Sequence, residues 1–175
     1  MPLIKKIVII GPESTGKSTL TQGLAKAFGE PYVEEYARQY LENLHRDYVY
    51  EDLKKIAEGQ LALEDQKATH AKRLLFCDTD LHVVRVWSEH KYKKTDPWVL
   101  EQIKTRKYDL YLLTDIDMDW QEDPLREHPE PHMRAYFFNV YHQLLMNGHT
   151  PFYRISGGPE KRLDTAIRII RQFGE

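Results

Sequence analysis

Residues 7–20 read IVIIGPESTGKSTL. An apolar, β-branched run enters Gly11. Gly16, Lys17 and Ser18 then complete the spacing G-x-x-x-x-G-K-[ST], and Leu20, Leu24, Ala27 and Phe28 recur at helical period. A strand that turns through glycine and opens directly into a helix is a phosphate-binding loop with its required context on both sides. Each part has a mechanical reason. The glycines let the backbone wrap closely, and the N–H groups of the loop and first helical turn point inward as donors. Lys17 supplies a cation between the outer phosphates, and the Ser18 hydroxyl is a hard oxygen suited to Mg²⁺. The predicted nucleotide-binding set is Gly11, Ser14, Thr15, Gly16, Lys17, Ser18 and Thr19. Glu13, a carboxylate inside such a loop, is expected to point away from the phosphates or toward a second ligand.

The rest of the chain alternates. Apolar runs at Ile4–Ile10, Pro31–Val33, Leu74–Cys77, Asp109–Thr114 and Pro151–Ile155 read as strands. Helical spacing covers Lys17–Phe28, Glu35–Leu44, Asp52–Ala71, Leu81–Glu89, Trp98–Thr105, Met133–Met146 and Pro159–Phe173. That order predicts an α/β, P-loop kinase-like fold of about five parallel strands, with helices on both faces joined by right-handed crossovers. Met118–Pro131 is acidic and broken by proline, and it reads as a mobile lid on a single domain spanning residues 1–175.

Composition narrows the partners. With 25 basic and 27 acidic residues there is no basic surplus of the kind a nucleic-acid coat needs. No apolar stretch approaches the roughly 20 residues that cross a bilayer. The start MPLIKK runs straight into a strand pattern without a signal peptide, so a cytoplasmic protein is expected. Cys77, the single cysteine, lies in an apolar run and is expected to be a buried, inert thiol. His128 and His132 are four apart, but Pro129 and Pro131 break the helix that would make them a metal pair. Lys161, Arg162, Arg168 and Arg171 read as a solvated face of the last helix.

What the phosphate serves is read from acids at strand ends. LLFCDTD ends the third strand, and Asp78 is placed to make the second Mg²⁺ contact, through water. Asp80 either meets a substrate hydroxyl or caps the next helix. VEEYARQY follows the second strand, at the edge where open α/β sheets bind ligands. Glu34 or Glu35 is therefore a candidate base, with Arg38 one turn on to hold the acceptor or the γ-phosphate. Arg126 is the candidate lid cation, and Arg134 begins the helix after it. A guanine-reading Asn-Lys-x-Asp element is missing from the sequence. Ser156-Gly157-Gly158-Pro159 comes too late to be a transporter-ATPase signature and reads as a turn near the adenine. The class that remains is small-molecule phosphotransferase, with a nucleotide-dependent regulatory module as the other reading.

The ordered set GPESTGKST, EEYARQY, FCDTD and WQEDPLR, with Arg134 beyond it, resembles the ribosylnicotinamide kinase domain of NadR-type proteins over most of the chain. The resemblance implies transfer of the ATP γ-phosphate, with Mg²⁺, to the 5′-hydroxyl of nicotinamide riboside. Carried over by position, it makes Glu35 the acid of the E-Y-x-R-x-Y element, with Tyr36, Arg38 and Tyr40 near the acceptor. Asp78 and Asp80 match D-T-D, and Trp120, Asp123 and Arg126 match the lid. A cationic nicotinamide ring suits aromatics and acids, for which Tyr36, Tyr40, Trp87, Trp98 and Trp120 are available. NadR-type proteins also carry an adenylyltransferase domain. None is read in these residues, so the kinase step alone is expected of them.

Overall fold

The structure, a computed structural model, describes residues 3–174. Among them are five strands: β1 (Lys5–Ile10), β2 (Tyr32–Val33), β3 (Leu74–Asp78), β4 (Leu110–Thr114) and β5 (Phe152–Ile155). The helices are α1 (Lys17–Phe28), α2 (Tyr36–Glu42), α3 (Tyr50–Ala68), α4 (Leu81–Tyr92), α5 (Pro97–Thr105), α6 (Pro131–Met146) and α7 (Pro159–Gly174). The strands form one parallel sheet in the order β2-β3-β1-β4-β5, as the alternation predicts.

The phosphate-loop strand lies at the centre of this sheet, and its side chains alternate between the two faces. Ile7 and Ile9 pack with Leu20 and Leu24 of α1 and Ala166 and Ile170 of α7. Val8 and Ile10 pack on the other face with Val83 and Val86 of α4 and Phe137 and Tyr141 of α6. Both faces of β1 are covered, which is why its sequence is continuously apolar rather than alternating. A third cluster joins α2, α3, α4 and α5 through Ala37, Ile56, Val84 and Val99. Cys77 is buried in the sheet, where desolvation pushes its thiol well above the usual value.

Helix ends deviate from the sequence reading for local reasons. Helix α6 begins two residues early, with Pro131 in its first turn, a position that needs no N–H donor. Helix α2 begins at Tyr36, leaving Glu35 as its N-cap residue. Helix α3 begins at Tyr50, because Asp52 turns back to accept from the Val49 N–H at 2.8 Å. Residues 115–130 contain no strand and no helix, and they cross the C-terminal edge of the sheet as an irregular strap. No described helix is long and apolar enough to cross a membrane.

Candidate active site at the carboxyl edge of the sheet

The sheet register brings the site together. Ile9 of β1 is paired with Asp78 of β3, so the end of β3 lies beside the start of the phosphate loop. Gly11 is required by close approach: a Cβ there would stand 2.3 Å from Thr114 Oγ1 and 2.8 Å from the Thr114 carbonyl. The loop is tied from inside. Thr15 Oγ1 donates to the Pro12 carbonyl at 2.7 Å and pairs with Thr114 Oγ1 at 2.7 Å. The side chain of Thr15 is thus structural, and only its backbone N–H is left to face phosphate. Lys17 Nζ donates to the Pro12 carbonyl at 2.8 Å, which holds the ammonium over the curve of the loop.

On one side of the loop is a cleft of about 160 Å³, lined by Lys17, Ser18, Glu35, Arg38, Trp87 and Arg126 among others. Ser18 Oγ donates to Asp78 Oδ2 at 2.6 Å. Asp78 Oδ1 is buried without a hydrogen-bond partner. Burial raises the Asp78 carboxyl above its ordinary value, while Lys17 and the Ser18 bond oppose the shift. An orphaned carboxylate oxygen beside a serine hydroxyl fits a hard divalent cation, whose remaining ligands would be phosphate and water. Among the described residues no group of three His, Cys, Asp or Glu forms a metal cage.

Glu35 faces the same cleft and makes no side-chain cap to its own helix. Its carboxyl is pushed up to about 7, first by burial and then by the Asp78 charge, with Lys17 and Arg38 pulling the other way. Two neighbouring carboxyls in a partly desolvated site, opposed by Lys17 and Arg38, leave one poised to take a proton near neutrality. Glu34 is exposed and meets Lys67 at 3.4 Å, outside the cleft.

The strap supplies the cleft's outer wall. Arg38 pairs with Asp123 at 2.9 Å, so the two motifs around these residues are halves of one salt bridge. Arg126 lines the cleft and donates to the Gln121 carbonyl and, at 3.4 Å, to Ser14 Oγ. Trp120 does not line the cleft. Its ring lies between the guanidinium groups of Arg126 and Arg134, 5.9 and 5.8 Å from its centroid, with its buried Nε1 unpartnered. Arg134 donates to the Ser14 and Met118 carbonyls at 3.2 and 3.0 Å.

Several predicted site residues are engaged elsewhere. Asp80 is 3% exposed and caps α4, accepting from the His82 N–H at 2.9 Å, His82 Nδ1 at 2.8 Å and the Tyr111 hydroxyl at 2.6 Å. The capping alternative therefore holds for Asp80, and its oxygens are occupied by protein. Tyr40 donates to Asp52 at 2.7 Å, in a cluster completed by Arg46. Tyr36 packs over Gly59, where a Cβ would come within 2.0 Å of its ring. Neither tyrosine is among the residues lining the cleft. Trp98 belongs to the third core cluster. Trp87 of α4 and Tyr141 of α6 supply the cleft's aromatic surface instead.

Arg162 is a correction. Assigned from sequence to a solvated face, it is 1% exposed. Its guanidinium donates to the Thr15 carbonyl at 2.6 Å, the Gly157 carbonyl at 2.6 Å, the Asp115 carbonyl at 3.0 Å and the Asp117 carboxylate. The signal was present: Arg162, Ala166 and Ile170 recur every four residues on the buried stripe of α7. Beside Arg162, on the side of the loop away from Glu35, Gly16, Thr19, Gly23, Met118, Pro159 and Leu163 line a largely apolar groove of about 220 Å³.

The fold and loop define a P-loop nucleotide-binding protein with the architecture of nucleoside kinases. A family profile described as an AAA domain matches residues 6–162, and the chain belongs to that family. The chain is 30% identical to the trifunctional NAD biosynthesis/regulator protein NadR of Escherichia coli K12, over 97% of its own length and 43% of the relative's. It is 29% identical to the NadR protein of Salmonella typhimurium, covering 87% of this chain and 38% of that one. It thus spans about two fifths of the length of these curated relatives. A crystal structure of NadR protein in complex with NR superposes with a TM-score of 0.85 at 23% identity, over 97% of this chain and 51% of that one. Deoxyadenosine kinase from M. mycoides superposes at 0.63 with 16% identity, over 95% of this chain and 99% of that one. The resemblance to NadR-type proteins drawn from the motifs is borne out.

Proposed function

We propose that this chain is a kinase domain that transfers the γ-phosphoryl group of ATP to the 5′-hydroxyl of nicotinamide riboside, giving nicotinamide mononucleotide. The observation that carries the reading is the position of Glu35, which lines the same cleft as Lys17 and Ser18, where burial pushes its carboxyl up to about 7. A general base near neutrality beside a phosphate grip is what an alcohol-accepting kinase needs, and a hydrolysis-driven switch has no use for it. The likeness in sequence to NadR supports the substrate, since the crystallised NadR protein binds NR.

In this reading the loop amides and Lys17 hold the phosphates, and the apolar groove beside Arg162 and Pro159 receives the base of the nucleotide. Ser18 and Asp78 would hold Mg²⁺, which supplies charge neutralisation to the phosphates when bound. Glu35 accepts the proton of the attacking hydroxyl. Arg126 and Arg38 line the path of the migrating phosphoryl group and spread its charge. The strap of residues 115–130 excludes water, which would otherwise compete as acceptor. Trp87 offers the cationic nicotinamide ring an aromatic face.

Incubation with Mg-ATP and a panel of nucleosides tests this directly. Nicotinamide riboside is expected to be phosphorylated in preference to the rest. Phosphorylation of uridine or adenosine but not nicotinamide riboside would overturn the substrate. Bound ATP with no acceptor phosphorylated across the panel would overturn the transferase reading.

A further inference from the structure

Two residues of the phosphate loop have side chains that gripping phosphate does not call for. Glu13 brings a negative charge into a loop built for anions. Ser14 adopts a left-handed backbone conformation, φ 57°, which non-glycine residues seldom occupy. Both side chains turn to the strap. The Glu13 carboxylate turns out of the loop and accepts from the N–H groups of Glu127 and His128, each at 3.2 Å. The left-handed turn at Ser14 presents its Oγ to the Gln121 N–H at 2.8 Å and to Arg126, and its carbonyl to Arg134 at 3.2 Å. Donors from both ends of the strap's outer half, and from the first turn of α6, therefore converge on two adjacent loop residues. In between, Arg38 holds Asp123, and Asp123 Oδ1 accepts from the Leu125 N–H at 2.9 Å.

We propose that Glu13 and Ser14 are positioning residues that latch the strap to the phosphate loop, so that gripping the nucleotide and closing over the acceptor are one mechanical unit. Fixing residues 121 and 127–128 leaves Arg126 one way to lie, toward the cleft. Without these bonds, the stretch between Asp117, held by Arg162, and the start of α6 would be tied down by the Arg38–Asp123 salt bridge and the Arg134 bond to the Met118 carbonyl. The latch also explains how a carboxylate is tolerated at this position: its oxygens accept from the Glu127 and His128 N–H groups, which meet part of its charge.

Hydrogen exchange tests the latch without reference to any acceptor. In Glu13→Ala the amides of Glu127 and His128 are expected to exchange about tenfold faster, while amides of α1 and β3 keep their rates. Glu13→Gln keeps one acceptor oxygen and is expected to lie between the two. Ser14→Ala gives a second reading, with Gln121 as the amide released. Unchanged exchange at residues 121–128 in both alanine variants would overturn the proposal. The kinetic half rests on the kinase reading above: Glu13→Ala is expected to raise the acceptor KM about tenfold while kcat falls less than about threefold. An unchanged acceptor KM would overturn the coupling. A wild-type protein that phosphorylates no acceptor would overturn the kinase reading and leave the exchange result to decide the latch.

Discussion

The two sides of the phosphate loop are built on opposite terms. On the α7 side, Arg162 is buried and its guanidinium makes four hydrogen bonds, to three carbonyls and a carboxylate. Asp115 next to it is just as fully engaged, by Arg154, Ser156 and its neighbour's N–H. On the Glu35 side, polar groups are buried with capacity left over. Asp78 Oδ1 has no partner, Glu35 is held at about 7, and Trp120 Nε1 in the strap is unpaired. A satisfied network rigidifies the backbone that must hold phosphate, whereas an unsatisfied one keeps reactive groups available to a ligand. In the proposed function the chemistry lies on the β3–α2 side and the scaffold on the other.

Substitutions on the two sides should therefore separate activity from stability. The largest effect is expected from Lys17→Ala, which removes the cation between the outer phosphates and should lower turnover by about 10³-fold or more while circular dichroism and melting stay near wild type. Next, Glu35→Gln should lower kcat by roughly 10²–10⁴-fold without weakening ATP binding. It should also stabilise the protein at pH 8 by about 1 kcal/mol, because an ionised carboxylate is removed from a site that disfavours it. The sign follows from the raised pKa. Between pH 4.5 and about 7 the folded state holds a proton that the unfolded chain has lost, so stability falls as pH rises through that window. Full activity in Glu35→Gln would remove Glu35 as the base.

Arg162→Met should do the reverse. It strands three carbonyls and a half-exposed carboxylate, and about 3 kcal/mol of stability should be lost in chemical denaturation. Turnover per folded molecule should change less than in either cleft variant. The mildest test is the pH dependence of kcat/KM for the acceptor. It should rise about tenfold per pH unit below 7 and level off above, as a base held at about 7 loses its proton. A profile flat from pH 5.5 to 8.5 would remove Glu35 from the chemistry, and with it the contrast between the two sides.

Much of this was legible beforehand. The order of strands and helices and the phosphate loop follow from patterns within about ten residues, and the segment expected to be irregular over 118–131 is irregular over 115–130. Those patterns report local periodicity and turn chemistry, which are properties of adjacent side chains. The E-Y-x-R-x-Y and W-x-x-D-x-x-R motifs were also visible, but not that Arg38 and Asp123 bind one another across 85 positions of chain. Tyr36, Tyr40 and Asp80 sit beside Glu35, Arg38 and Asp78 in sequence yet spend their polar atoms or rings on helix packing and capping. Motif membership could not separate these roles, because neighbours on a helix point in different directions.

The residues alone determined that a nucleotide phosphate is held at the tip of a central strand, because glycine freedom, a lysine and a helix start act within one loop. Tertiary structure decided which acids are free and which arginine is buried. Desolvation and the final hydrogen-bond partner depend on what the sheet register and the strap bring alongside, and those neighbours are far away in sequence.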